Sequence, residues 1–341
     1  MENLVLGLVL LAWTLATGNS LNLKVIGEKV LDMAPNSFDD QYQGCDHEME
    51  EELGELHRTE FTNNSIYAGY WTQAAEKWKE HSHVPQPPML RTEHAVALIA
   101  YSLPGSLNRI FNKAVREVGR SHREYMEKFQ FKTLHFLLTQ ALKILREAQP
   151  QQCYQVYRGI RDIRFTAQSH DSVRFGQFAS SSILKDRAER FGTVTFFSVY
   201  TCYGVPIKNF SDMPEEEEVL IPPFETFTVT NITYDGKTTH IQLESTGTCS
   251  NHNCEWLKGD IPRDGRAPWG GSHHRSPLPL AAGPALFPGS HNTAWSPPVG
   301  PGERGGAPAS APPCLWPRLG GCWGRTGSPW RPVGPLGMGR P

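Results

Sequence analysis

The chain has 341 residues, a net charge of −2 and 20% charged residues. That length accommodates a large core, and the near-neutral balance lacks the basic stripe of a polymeric nucleic-acid binder. Acidic residues outnumber basic ones between positions 19 and 260, which strengthens that exclusion. Leu4 to Leu15 is almost wholly apolar but short for a bilayer span, and the small residues Ala16-Thr17-Gly18 follow it. This reads as a secretory signal over 1–18, although its amino end carries no Lys or Arg. His94 to Tyr101, Leu107 to Val118 and Lys132 to Leu145 place apolar residues at three- and four-residue spacing, with Pro104 and Gly105 separating the first two. That period predicts helices. Beyond Gln151 the pattern changes, with β-prone runs near 153–160, 175–184, 193–201, 217–222, 225–235 and 239–246, and a short helix at Lys185 to Phe191. Helices followed by strands predict an α+β domain over 19–260 rather than an alternating parallel sheet.

From Ile261 the composition shifts: residues 261–341 hold 17 of the 27 prolines, 16 of the 31 glycines and no lysine. Such a segment cannot build a core or a ladder, so a disordered tail is expected. Gly300-Pro301-Gly302-Glu303-Arg304-Gly305 matches a dinucleotide-binding fingerprint in letters only, because no strand precedes it and no helix follows. No long apolar segment suited to a lipid anchor closes the chain, so a soluble, secreted product is expected.

An oxidising compartment favours pairing among Cys45, Cys153, Cys202, Cys249 and Cys254. A zinc site at His252 and Cys254 competes with that reading but lacks the paired ligand spacing of such sites. Sequons at Asn63, Asn209 and Asn231 are compatible with a secretory route.

The densest chemistry lies at Glu215-Glu216-Glu217-Glu218, which runs directly into the apolar Val219-Leu220-Ile221-Pro222-Pro223. Like charges this close need a solvated surface or a cationic partner. Taken alone, the run reads as an acidic turn that keeps a hairpin soluble. If Glu218 opens a strand, Glu216 shares its face. Upstream, Cys153-Tyr154-Gln155-Val156-Tyr157-Arg158-Gly159 ends a β-prone run in Arg-Gly, and Phe175-Gly176-Gln177-Phe178-Ala179-Ser180-Ser181-Ser182 ends another in hydroxyls. Each alone reads as a surface ion pair or a turn.

In this order the three segments resemble the R-S-E signature of the arginine-specific mono-ADP-ribosyltransferases, most nearly the vertebrate ecto-enzymes. The likeness extends over roughly Leu23 to Lys258 and includes Ser37-Phe38-Asp39-Asp40-Gln41-Tyr42 and Ala114-Val115-Arg116-Glu117. It implies a helical N-terminal half followed by a compact two-sheet, mainly antiparallel core that binds NAD without a Rossmann domain or a metal. It also implies bridges Cys45–Cys254 and Cys153–Cys202, and leaves Cys249 unassigned. The first bridge would contribute about 5 kcal/mol in the loop-entropy model.

The implied reaction moves ADP-ribose from NAD to arginine, with exposed arginines of extracellular or lumenal proteins as acceptors. Glu218 is the fixed anion near the reacting sugar, where exclusion of water makes it most effective. The resemblance has it accept a hydrogen bond from the ribose 2′-hydroxyl. Arg158 offers a fork of donors for the pyrophosphate. Gly159 is expected to leave ligand volume that a Cβ would fill. Ser180 holds the nicotinamide ribose or orients Glu218, with Ser182 the alternative if the alignment shifts by two. Glu216 attracts the acceptor guanidinium and takes its proton. Two other readings are an NAD glycohydrolase using the same site and a catalytically silent secreted NAD-binding module.

Overall fold

The computed structural model describes residues 26–81, 85–150 and 152–259. The expectations for a leader at 1–18 and a tail at 261–341 lie outside these residues. Among the described residues, strand β1 (Gly27–Val30) precedes six helices: α1 (Asp46–Asn63), α2 (Ser65–His81), α3 (Thr92–Ser102), α4 (Leu107–Glu117), α5 (His122–Lys128) and α6 (Lys132–Glu147). Strands then dominate: β2 (Tyr154–Ile160), β3 (Ile163–Thr166), β4 (Ser172–Val173), β5 (Ala179–Ser182), β6 (Thr195–Thr201), β7 (Val205–Pro206), β8 (Glu218–Ile221), β9 (Glu225–Tyr234) and β10 (Thr239–Thr248). A short helix, α7 (Lys185–Glu189), follows β5.

The three helices expected from periodicity are present. α4 buries Leu107, Phe111 and Val115, one every fourth residue. α3 is buried continuously from His94 to Tyr101 and is therefore a central helix rather than a surface one. α1 and α2 were not singled out in the sequence. The first has a charge-rich surface that dilutes its buried series Met49, Leu53 and Leu56, and the second buries Tyr67, Trp71, Ala74 and Trp78.

The main sheet has eight strands in the order β4-β9-β10-β6-β2-β5-β8-β7, and β1 pairs with β3 in a separate parallel ribbon. Within the main sheet β10 is parallel to β6, and the remaining pairings are antiparallel. β2 stays in register with β6 from Tyr154–Thr201 to Ile160–Thr195. With β5 it shares a single paired position, Tyr157–Ser182. The strands diverge there, which splits the sheet into two halves and opens a cleft between them. Along β8, Leu220 packs with the helical core while Val219 and Ile221 join the second core between the strands. That alternation is what an extended segment buried on both faces requires.

Two bridges, Cys45–Cys254 and Cys153–Cys202, close the domain. Beside the first lies a buried polar network. Asp39 accepts from Arg174 Nη1 at 2.6 Å, from His252 Nδ1 at 3.0 Å and from Asn251 N at 2.9 Å. Burial pushes the Asp39 pKa up, but His252 and Arg174 outweigh it and hold the carboxyl below its usual range. Asp40 caps Cys254 N and Glu255 N, so the two acids fasten the end of the domain to its beginning.

Candidate active site

The split between β2 and β5 forms a cleft of about 340 Å³ lined by Tyr157, Arg158, Gly159, Ser180, Ser182, Phe191, Glu216 and Glu218. All of the site residues expected from the sequence therefore meet in one place. Arg158 reaches across the split from β2, and its Nη1 donates to the carbonyl of Ser180. Burial lowers the Arg158 pKa, while Tyr101 and Glu218 act to raise it and the neighbouring Arg116 acts to lower it.

Glu218 opens β8 and is 6% exposed. Burial raises its pKa to about 7, and Glu216 adds to this, against the hydroxyls of Ser180 and Ser211 and the Arg158 guanidinium. A carboxyl with such a pKa is divided between its charged and neutral forms near neutrality. Glu216 is half-buried, and its pKa is raised by burial and then by Glu215, with Arg187 and Arg190 opposing. The cleft thus holds a deep carboxyl and a shallow one, and both favour the proton more than a free glutamate does.

The route by which Glu216 arrives differs from expectation. It does not share a strand face with Glu218, because Pro214–Glu216 forms a 3₁₀ turn and Glu217 is left-handed at φ 47°. Like-charged neighbours are thereby turned apart, and Glu217 forms an ion pair with Lys208 away from the cleft. The acidic run is accommodated by a tight turn with cations beside it, Lys208 paired with Glu217 and Arg187 and Arg190 acting on Glu216, not by an extended row.

Gly159 is also needed for a different reason. A Cβ there would stand 2.2 Å from the carbonyl oxygen of Gly192 and 2.3 Å from that of Ala188. The missing side chain makes room for the backbone around α7 rather than for a ligand. Ser182, the alternative to Ser180, has its hydroxyl engaged with the backbone: Oγ donates to Glu216 O at 2.6 Å and accepts from Leu184 N at 3.0 Å. Ser180 is the serine whose hydroxyl bears on Glu218.

Two supporting residues escaped the sequence reading. Tyr101 on α3 donates to Phe178 O at 2.8 Å and accepts from Asn112 Nδ2 at 3.0 Å, and Ser180 Oγ lies 3.5 Å from its hydroxyl. Ser211 accepts from Met213 N at 3.1 Å and favours the ionised form of Glu218. Tyr101 closes a periodic apolar run and reads as core, and Ser211 reads as part of a sequon.

The family model described as "NAD:arginine ADP-ribosyltransferase" matches residues 31–251. The chain belongs to the NAD:arginine ADP-ribosyltransferase family. Within it, the chain is 50% identical over 287 residues to the erythroblast NAD(P)(+)–arginine ADP-ribosyltransferase of Gallus gallus, covering 83% of this chain and 95% of that one. It is 47% identical over 243 residues to the GPI-linked NAD(P)(+)–arginine ADP-ribosyltransferase 1 of Homo sapiens, covering 67% of this chain and 74% of the relative. The solved structure of the eukaryotic mono-ADP-ribosyltransferase ART2.2 superposes with a TM-score of 0.58 at 37% identity, covering 66% of this chain and 98% of that one. A single-residue variant of ART2.2 has been solved in complex with NAD.

Among the described residues, no group of three or more His, Cys, Asp or Glu is placed to hold a metal ion. The polar groups that line the cleft suit NAD. The cleft has a forked cation on one wall, a hydroxyl and carboxyl on the other, and a volume in the range of small-molecule sites.

Proposed function

We propose that this chain is a secreted NAD:protein-arginine mono-ADP-ribosyltransferase whose catalytic domain spans 19–260. The observation that carries this reading is a buried carboxyl at Glu218 and a half-buried one at Glu216 in the same cleft as Arg158 and Ser180. NAD, when bound, supplies the ADP-ribosyl group and nicotinamide as the leaving group. Glu218 in its ionised form stabilises the positive charge that develops at the ribose, and its burial keeps water from screening it. Arg158 binds the pyrophosphate, and Ser180 steadies both the sugar and Glu218. Glu216 binds the acceptor guanidinium at the mouth of the cleft. It receives the proton released as a guanidinium nitrogen bonds to the ribose carbon that nicotinamide leaves.

The acceptors are arginines on extracellular or lumenal proteins. The two disulfides support a route through an oxidising compartment, as do the apolar leader and the exposed sequon residues Asn63, Asn209 and Asn231. No helix among the described residues is long and apolar enough to cross a membrane.

The test incubates the purified full-length protein with labelled NAD and agmatine, beside Glu216→Gln and Glu218→Gln variants, while following free nicotinamide and labelled agmatine. Agmatine labelling lost in both variants, with nicotinamide release surviving in Glu216→Gln, supports the assigned roles. Nicotinamide release without agmatine labelling in the unmodified protein identifies a glycohydrolase instead. A folded, NAD-binding protein that does neither is a silent binding module.

A further inference from the structure

A second groove, of about 380 Å³, is separate from the active-site cleft. Glu216 lines the cleft and Glu217 lines this groove, so the turn that joins them stands between the two. Pro85, Pro87, Pro206 and the ring of Phe210 give the groove an apolar wall, and the ion pair of Lys208 with Glu217 gives it a polar one. Mostly apolar walls with a few polar groups, at this volume, are what small-molecule sites present. The backbone connects the groove to the catalytic strand, because Ile207 N donates to Glu218 O at 2.9 Å.

Asn209 is exposed and lines the same groove. It opens the sequon Asn209-Phe210-Ser211. In the folded protein Phe210 is only 4% exposed and lies 6.1 Å from the Trp78 ring, and the Ser211 hydroxyl accepts from Met213 N at 3.1 Å. The sequon is therefore readable on the extended chain, before this segment folds, whereas Asn209 itself remains at the surface afterwards.

We propose that Asn209 carries an N-linked glycan whose first N-acetylglucosamine seats in this groove and steadies the Lys208–Glu217 pair behind the active-site turn. The proposal rests on the secretory reading of the chain, since that route supplies the donor, a lipid-linked pyrophosphate oligosaccharide. Asn209 Nδ2 bonds to C1 of its first sugar and gives up a proton, while the bond from C1 to oxygen breaks and the lipid pyrophosphate leaves. Attachment at the rim gives the sugar a high effective concentration over the groove, so weak contacts are enough to seat it. Its C–H face meets the proline and Phe210 rings, and its hydroxyls and acetamido group meet Lys208 and Glu217. Those two side chains are 48% and 32% exposed, and displacing water from them strengthens their attraction. Glu217 is the left-handed residue next to Glu216, so whatever holds Glu217 also holds the outer carboxylate in place.

The test purifies the full-length protein from secreting cells that build mannose-rich glycans and maps the three sequons by peptide mass. Asn209 is expected to be occupied. Asn209→Gln is expected to lower kcat/KM for agmatine by about threefold, the size of a partly exposed ion pair, and to speed amide exchange over residues 208–217. Trimming the glycan to its first sugar with an endoglycosidase should change neither. In a Glu217→Gln background, Asn209→Gln should have no further effect on transfer. Stripping the folded, unmodified protein with peptide N-glycosidase repeats the comparison without involving folding. An unoccupied Asn209 beside a glycan at Asn63 or Asn231 overturns the proposal and leaves the secretory reading standing. Unchanged transfer and exchange in both Asn209→Gln and the stripped protein also overturn it. Absence of glycan from all three sequons overturns the secretory reading and this proposal with it.

Discussion

Ser182 Oγ donates to the carbonyl of Glu216 at 2.6 Å, so a strand serine holds in place the turn that presents the outer carboxylate. The ion pair of Glu217 with Lys208 and the bond from Ile183 N to Glu217 O also anchor the turn. Ser182→Ala is expected to loosen Glu216 and lower kcat/KM for agmatine by about tenfold, the equivalent of one hydrogen bond. Nicotinamide release in the absence of acceptor should fall far less. Ser182→Thr, which restores the hydroxyl, should recover most of the transfer. Equal losses of both reactions in Ser182→Ala would assign the serine to the inner site instead.

The inner carboxyl gives a pH signature. The pKa of Glu218 is raised from 4.5 to about 7, chiefly by burial. The role proposed for Glu218 needs the ionised form, so kcat/KM for NAD is expected to rise with pH and level off above about 7, as the free enzyme's ionisation is what kcat/KM reports. The stability effect has the opposite direction. A carboxyl whose folded pKa is raised stabilises the fold fully below its unfolded pKa, and that contribution is lost as pH rises from 4.5 to about 7. Glu218→Gln, which removes the buried charge, should therefore stabilise the protein above this range by on the order of 3 kcal/mol. The gain should fade as pH is lowered toward 5. Denaturant midpoints measured across this range check it; a gain over the unmodified protein that is no larger at pH 8 than at pH 5 contradicts it.

Tyr101 ties the central helix to the strand bearing Ser180. Its hydroxyl gives its proton to Phe178 O and accepts from Asn112 Nδ2. Tyr101→Phe leaves both groups without that partner in the core, which should cost about 1–3 kcal/mol of stability. The Ser180 hydroxyl also loses a neighbour 3.5 Å away, so kcat is expected to fall by a few-fold with little change in the KM for NAD. A fall in stability alone, with kcat intact, would confine the tyrosine to a structural role.

The architecture could be read where period and composition agreed. α3, α4 and α6 followed from apolar spacing, and the long strands from β-prone runs bounded by turns. β1 was invisible because all four of its residues are exposed, so no alternation marks it. At the site, Arg158, Ser180, Glu216 and Glu218 were legible only as an ordered set of motifs, since none of them carries a decisive local pattern. Extended geometry predicted a shared face for Glu216 and Glu218, and a left-handed residue at Glu217 overrode it. Backbone conformations of that kind are favoured here by an ion pair to Lys208, which no periodicity encodes. The need for Gly159 was legible, but its cause was not, because the crowding comes from the carbonyls of Ala188 and Gly192 some thirty residues along the chain. Tyr101 was hidden by being apolar in spacing and polar in use.

The Asp39 network offers a test of what joins the two ends of the domain. Asp39 and Arg174 are fully buried, and Asp39 also receives His252 and the Asn251 amide. Asp39→Asn leaves the Arg174 charge uncompensated in the interior and is expected to cost about 3–5 kcal/mol at pH 7. Because the folded pKa of Asp39 is lowered, its stabilisation is present above the unfolded pKa and is lost as pH falls through the folded one. The gap between variant and unmodified protein should therefore narrow only below about pH 4. With the Cys45–Cys254 bridge intact in both proteins, denaturant unfolding isolates this polar contribution from the covalent one. A difference under about 1 kcal/mol at pH 7 would mean that the bridge and Asp40 alone fasten the segment, with Arg174 able to find other acceptors such as the carbonyls of Met33 and Cys249 that it already contacts.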